Sequence, residues 1–428
     1  MSVFFQTRRH LAAWVLFGCA FSPLGYSQTP ESLTLQQAVA RVLQQHPQVR
    51  AFESRRQAAY GARRQAALKP PLELALGMEN MAGSGDMRGL NSAETTLSLS
   101  SVFELGGKRG ARTALADVRS DQMQLEIAAQ TLDLVGAATE QFITTLAAQA
   151  RLTLAQEAVL LDQSTFASLQ QRARAGAASD ADVHRAQAAL ARTRLGLQQQ
   201  TAELQIARVR LAALWGEPGN PPGILSGDLF ALAKADDFAQ LYVRAKSSPS
   251  QQALTQEERL QQLNAQLARA NGRTDLQWTL GLRHLADTDD NALVAGVSVP
   301  LFSQSRGRGE RLQAEARLGE VQAQRQQAEV ELHAKLFETY TRREQAVTAA
   351  LLLHDQLIPE LEQAFALSRQ AFERGRYGYP ELLAVQRELL EARSESIDSA
   401  TTALILGAVL EQLTAAPLSS PTPISTPR

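Results

Sequence analysis

The sequence predicts a mainly α-helical chain with a membrane β-barrel: a tandem-repeat protomer of long helices and two β-hairpins, to be completed by other copies. Three observations carry this. The same order of motifs occurs twice, about 200 residues apart. The apolar period switches twice from that of a helix to that of a strand. Residues 108–173 contain no proline, so one helix can run the length of that stretch.

Composition narrows the class. The 428 residues hold 43 Lys+Arg against 44 Asp+Glu, which leaves no basic surface for nucleic-acid phosphates. A single cysteine excludes an intramolecular disulfide framework and a cysteine zinc site. Aromatic residues make up 5%, and long runs of Ala, Gln, Leu, Glu and Arg favour extended helices over a thick core.

Residues 1–27 read as a signal peptide. Arg8, Arg9 and His10 precede an apolar stretch over 11–21, and Gly25, Tyr26 and Ser27 form a small-x-small cleavage site before Gln28. Residues 16–19 (LFGC) offer a competing lipoprotein box that would lipidate Cys19. Further on, no uninterrupted apolar run is long enough for a transmembrane helix. Any membrane crossing therefore falls to strands.

The repeat is visible at four places. Pro47 is echoed by Pro249, and residues 72–79 (LELALGME) by 276–283 (LQWTLGLR). Residues 97–103 match 295–301, and Gly176 with its downstream Asp182, Val183 and Gln187 matches Gly375 with Glu381, Leu382 and Gln386. The first structural repeat is thus expected over 28–225 and the second over 226–415, joined near the Gly/Pro cluster 216–223. Residues 416–428, rich in Pro, Ser and Thr, are expected to form a disordered tail.

Each repeat reads helix, hairpin, very long helix, tight turn, helix. Residues 35–68 carry Leu35, Val39, Val42 and Leu43 at helical spacing. Alternation then puts Leu72, Leu74, Leu76 and Met78 on one strand face. A Gly-rich loop over 81–91 leads to a partner with Leu97 and Leu99 opposite Thr96, Ser98 and Ser100. In the second hairpin Leu276, Trp278, Leu280 and Leu282 alternate with Gln277, Thr279, Gly281 and Arg283, followed by Val297 and Val299 around Ser298. The helix over 108–173 reaches about 100 Å, twice the roughly 50 Å of its neighbours over 35–68 and 182–214. Two short helices end to end therefore match one long one. A second long helix is expected over 307–374, bent at Pro359.

The strands are 8–10 residues long, the length of tilted membrane strands. Four of them cannot close, and an open edge in hydrocarbon leaves backbone groups unpaired. Three copies give twelve strands and room for a passage, so a trimer is the economical solution.

At these motifs the chain resembles the TolC-type outer-membrane efflux proteins, over essentially the whole region from residue 35 to 415. The segment Glu104, Leu105, Gly106, Gly107, Lys108, Arg109 after Phe103 is similar to the strand-to-helix turn of the heavy-metal, CzcC-like branch. The resemblance implies a homotrimer in the Gram-negative outer membrane, its 12-stranded barrel in outer-membrane lipid and continuing into a periplasmic α-helical tunnel. It also implies a periplasmic adaptor and an inner-membrane pump of the resistance-nodulation-division (RND) class as partners, with no nucleic acid. Cargo would be heavy-metal cations such as cobalt, zinc, cadmium or copper. By the same resemblance, the reversals at Arg174, Gly176, Asp182 and at Arg374, Gly375, Arg376, Tyr377 would meet the adaptor. Glu381 matches the first of the family's two acidic gate positions; the second is occupied by Ala384, which argues against a double acidic gate. A plain helix reversal explains the glycines equally well.

Enzyme chemistry, a cofactor and a resident metal are not expected. Met78, Met81 and Met87 have thioether character but lie on a strand and in a loop. Residues 287–291 (DTDDN) begin like a calcium loop, then place Ala292 where glycine is required. Gly83, Gly85 and Gly89 miss the dinucleotide spacing, and Arg109 follows Gly107 and Lys108 where a phosphate loop needs Ser or Thr. A passive duct needs none of these groups; small polar residues such as Thr96, Ser98, Ser100, Thr279, Gly281 and Ser298 suit a hydrated bore. The competing classes are a drug or type I secretion outlet of the same fold, and a secreted fibrous helical protein.

Overall fold

The computed structural model describes residues 32–234 and 237–417. The expected signal segment with Cys19 and Ser27, and residues 418–428 of the expected tail, lie outside the described residues.

Two helices, α1 (Leu35–Gln45) and α2 (Pro47–Ala66), stand where a single helical stretch is expected over 35–68. The ring of Pro47 disfavours helical backbone at the residue before it. His46 accordingly adopts φ −59°, ψ 130°, and its Nδ1 accepts the Gln48 N–H at 3.1 Å. Thr34 starts α1 with a reciprocal cap: Gln37 N–H donates to its hydroxyl, and the Thr34 N–H donates to the Gln37 side chain at 2.9 Å. Then come β1 (Glu73–Glu79), β2 (Glu94–Phe103), α3 (Lys108–Arg174) and α4 (Asp180–Ala213). The loop between the strands includes a 3₁₀ turn at Gly85–Met87. At 67 residues, α3 is about 100 Å long.

The second half repeats this order. Helix α5 (Phe238–Lys246) precedes α6 (Pro249–Asn271), with Pro249 in the first helical turn as Pro47 is in α2. Strands β3 (Leu276–Leu285) and β4 (Asp290–Ser298) and one short turn, α7 (Ser303–Arg306), follow. The continuous helix expected over 307–374 is divided. Helix α8 (Arg308–Leu352) passes through a π-helical turn, Leu353–Leu357, into α9 (Ile358–Glu373). Pro359 lacks a donor and crowds the turn before it, and the wider π turn accommodates both effects. Helix α10 (Tyr379–Thr414) ends the fold.

The four strands form one antiparallel sheet in the order β1-β2-β3-β4. The central pairing joins the two hairpins, with Ser98 opposite Gly281 and Phe103 opposite Leu276. Among the described residues, β1 pairs only with β2 and β4 only with β3. Both outer edges of the sheet are open.

Helix α3 organises the rods. Near the sheet it packs against α6, Leu115 and Val118 meeting Leu260, and Arg63 of α2 reaches Asp117 at 2.6 Å. Farther along, Ala148 meets Leu204 and Leu169 meets Ala186, both of α4. Midway lies the largest core, with Val42, Phe142, Leu146, Leu211, Trp215 and Leu225 buried together. Leu33 forms a parallel bridge with Leu225, and Gln149 clamps the Leu225 backbone at 3.2 and 3.1 Å. The segment between the repeats is thereby tied to α3 and to the start of the described chain.

Candidate functional site

Three regions carry the residues that the sequence singles out: the reversals at the far end of the rods, the strand-to-helix turn, and the sheet.

At the far end, α3–α4 and α9–α10 reverse by the same closure. Gly176 N–H bonds to Ala173 O (2.9 Å) and Ala177 N–H to Arg172 O (2.8 Å). In the other reversal Gly375 N–H bonds to Phe372 O (3.0 Å) and Arg376 N–H to Ala371 O (2.9 Å). Gly176 and Gly375 take φ of 73° and 72°, the left-handed conformation this helix ending requires. Arg174 ends α3, and Asp182 sits in the first turn of α4, where its N–H donates to Ser179 Oγ at 3.1 Å. Arg374, Arg376 and Tyr377 are exposed around the second reversal.

The tie between the two reversals was not legible in sequence. Arg172 donates to the Phe372 carbonyl, and its guanidinium lies 4.6 Å from the Phe372 ring centroid. Beneath it Leu169, Ala186, Phe372, Tyr379 and Leu382 are buried together. Burial pushes the Tyr379 phenol above its ordinary pKa, and the Asp162 carboxylate adds to the effect. Asp162 is itself buried and accepts from Gln386 Nε2 at 2.7 Å. Glu381 is exposed in the first turn of α10, where the helix dipole favours a carboxylate. It folds back so that a Cβ on Gly378 would lie 2.8 Å from its Oε2. Ala384, one turn on, is also exposed.

The strand-to-helix turn is a collar built across the repeats. Gly106 and Gly107 adopt φ of 80° and 76°. Gly107 faces open space, whereas a Cβ on Gly106 would come within 2.9 Å of Arg273 Cβ. Lys108 is buried, and its Nζ lies 2.6 Å from Asp275 Oδ2. Asp275 Oδ1 accepts the Leu105 N–H at 3.1 Å. Glu104 holds Arg112 in a two-pronged pair; hydrogen bonding to Glu104 raises the guanidinium pKa above its usual value. Arg109 and Arg112 donate to the carbonyls of Ala67 and Leu68 at 2.8 and 3.3 Å. Asp275 is the residue that sequence reasoning missed. The position matched to it in the first repeat is Pro71, so the repeat pattern hid it.

The sheet confines its Asp, Glu and Arg residues to one face. By register, Glu73, Glu79, Glu94, Arg283 and Asp290 share one face with Thr96, Ser98, Ser100, Thr279, Gly281 and Ser298. The opposite face carries no Asp, Glu, Lys or Arg in any of the four strands. It presents leucines to the outside: Leu74 is 72% exposed and Leu293 70%. An apolar face this wide on a sheet with open edges is suited to lipid. Among the described residues no helix is long and apolar enough to cross a membrane, and no group of three or more His, Cys, Asp or Glu is placed to hold a metal ion.

A sheet of this polarity on rods of such length defines a wall segment of a transmembrane duct, a transport channel and not an enzyme. Residues 38–217 match the family of the outer membrane efflux protein, a likeness that agrees with an outer-membrane efflux channel extending into the periplasm. The cobalt-zinc-cadmium resistance protein CzcC of Cupriavidus metallidurans is 28% identical over 299 residues, 70% of this chain and 72% of CzcC. Among solved structures, the outer membrane protein VceC of Vibrio cholerae superposes with a TM-score of 0.72 at 20% identity. That match covers 90% of this chain and 97% of VceC. The MtrE outer membrane channel of Neisseria gonorrhoeae, in its open state, gives 0.71 at 17% identity over 90% of each chain. These two likenesses concern the fold. The match of residues 38–217 to an outer-membrane efflux family speaks against the fibrous alternative.

Two comparisons test the site. Gly106→Ala should destabilise the detergent-solubilised protein by about 1 kcal/mol or more beyond Gly107→Ala, because both strain a left-handed residue but only the first also displaces Arg273; thermal unfolding measures it, and equal losses would remove the steric role. At the centre of β4, Ala295→Arg on the uncharged face should cost about 2–4 kcal/mol of folding into bilayers, and Val294→Arg on the polar face less than about 1 kcal/mol. Urea titration of refolding into vesicles distinguishes the two, and equal costs would contradict the face assignment.

Proposed function

We propose that three copies of this chain close a 12-stranded barrel through the open edges of β1 and β4 and continue as a helical tunnel. In this reading the chain comprises two structural repeats, 28–225 and 226–415, and forms the outer-membrane component of a tripartite system. A periplasmic adaptor meets the reversals at Arg174, Gly176, Asp182, Arg374, Gly375, Arg376 and Tyr377, and an inner-membrane RND pump supplies the energy. The observation that carries the assembly is the pairing of two open edges with an uncharged face, which no single copy can satisfy in lipid. The segment from Glu104 to Arg109 acts as the collar where barrel passes into tunnel.

The cargo proposed is heavy-metal cations such as cobalt, zinc, cadmium or copper. The likeness to CzcC supports it, together with the strand-to-helix turn after Phe103. Three Glu381 carboxylates, one per copy, would narrow the tunnel end, attract cations and repel each other when drawn together. With Ala384 beyond it, the gate would consist of one acidic ring.

Both parts are open to measurement. Glu381→Ala should raise single-channel conductance and antibiotic leak, and unchanged leak with unchanged cation selectivity would remove Glu381 from the gate. Deleting the gene should lower tolerance to Co²⁺, Zn²⁺, Cd²⁺ or Cu⁺. Full tolerance of every metal combined with new drug sensitivity would move the cargo to drugs, and a lost protein export phenotype would indicate a type I outlet.

A further inference from the structure

We infer that Arg283 sets the ion preference of the passage at the loop end of the sheet. The inference rests on the duct reading above, in which the polar face lines the bore.

The geometry begins with a conflict. Glu79 of β1 and Glu94 of β2 are directly opposed across the first hairpin, an arrangement of like charges that disfavours the pairing. Arg283, on β3, resolves it from the other repeat. Its Nη1 lies 2.6 Å from Glu94 Oε2, its Nη2 3.5 Å from Glu79 Oε2, and its Nε donates to Thr96 Oγ1 at 3.0 Å. Asn80 donates to the other oxygen of Glu94 at 2.9 Å. One guanidinium therefore spans three strands and joins the two hairpins at their loop ends.

The same contacts fix the charge of that rim. Glu79, Glu94 and Asp290 share the polar face near the loops with Arg283: three carboxylates and one guanidinium, a net of two negative charges per copy. Glu94 and Arg283 are held partly out of water, at 20% and 31% side-chain exposure, where screening is weaker than at a free surface. Loss of Arg283 would leave three uncompensated carboxylates per copy. Loss of Glu79 and Glu94 would leave Asp290 balanced by Arg283. Arg283 is thus a specificity-determining residue of the wall, separate from any gate at the far end of the rods.

Reversal potentials under a KCl gradient, measured on the full-length protein reconstituted in planar bilayers, provide the test. The parent should prefer K⁺. Arg283→Gln should raise the K⁺/Cl⁻ permeability ratio by about twofold or more, the order expected for one added unit charge per copy at a hydrated rim. Arg283→Lys should keep the parent ratio, and Glu79→Gln with Glu94→Gln should bring the ratio toward or below one. If Arg283→Gln does not assemble, the double glutamine and lysine variants still decide. A conducting parent whose ratio is the same in every variant overturns the role of Arg283 alone. A parent that does not conduct overturns the duct reading itself.

Discussion

Everything in this structure answers to the need of strand backbone for partners. Hydrocarbon offers neither donors nor acceptors, so a sheet placed there must end on another strand at each edge. Here β1 and β4 each have one partner among the described residues, and the exposed apolar face excludes water as the remedy. Association through the edges is then a condition of insertion, not a later embellishment. Twelve strands leave a bore where eight would be filled by side chains. In the proposed twelve-strand barrel, that bore accounts for a lining face that is small and polar.

A barrel on helical rods poses a second problem, because tilted strands and near-axial helices must meet without a gap. The collar solves it with few residues. Two consecutive left-handed glycines turn the chain out of β2, and Gly106 is flat enough for Arg273 to lie across it. Lys108 and Asp275 then bind the first repeat's exit to the second repeat's entry. Such a pair, largely out of water, adds little net stability, but an unsatisfied member would be expensive. Its effect is to fix one arrangement of the junction. The carbonyls that end α2 receive Arg109 and Arg112, so four chain segments share one hydrogen-bonded ring of contacts.

The repeat order, both hairpins and the length of α3 were legible because each has a periodicity or a punctuating residue. What was missed lay in single side chains acting between repeats. His46 broke α1 from α2 although Pro47 was visible, since helical composition on both sides masked a one-residue interruption. Pro359 predicts a disturbance of the helix, and the form it takes, a π turn ahead of the proline, has no signature in the sequence. Glu381 was placed by resemblance, and the structure adds only that it is exposed at a helix start. Arg172, Asp275 and Arg283 carry no local signature at all. Their closest partners lie between 167 and 200 residues away in sequence, and only the fold brings them together.

Those long-range partners reveal why the two halves differ where they do. Exact duplication would have set a glutamate at position 283, the match of Glu79, beside Glu94 and Glu79 on one sheet face. Arg283 converts that repulsion into a link. Likewise, Asp275 in place of the matched Pro71 gives Lys108 its counter-ion at the helix end of the seam where the two hairpins adjoin. By contrast the helix closures made by backbone hydrogen bonds remain alike. Glu217 N–H bonds to Ala212 O in the first half and Ala416 N–H to Glu411 O in the second, and the left-handed residue is Gly216 in one and Ala415 in the other. Symmetry has been kept where each half is closed by its own backbone. It has been broken where equal side chains of the two halves would meet, and the charges introduced there hold the first hairpin to the second.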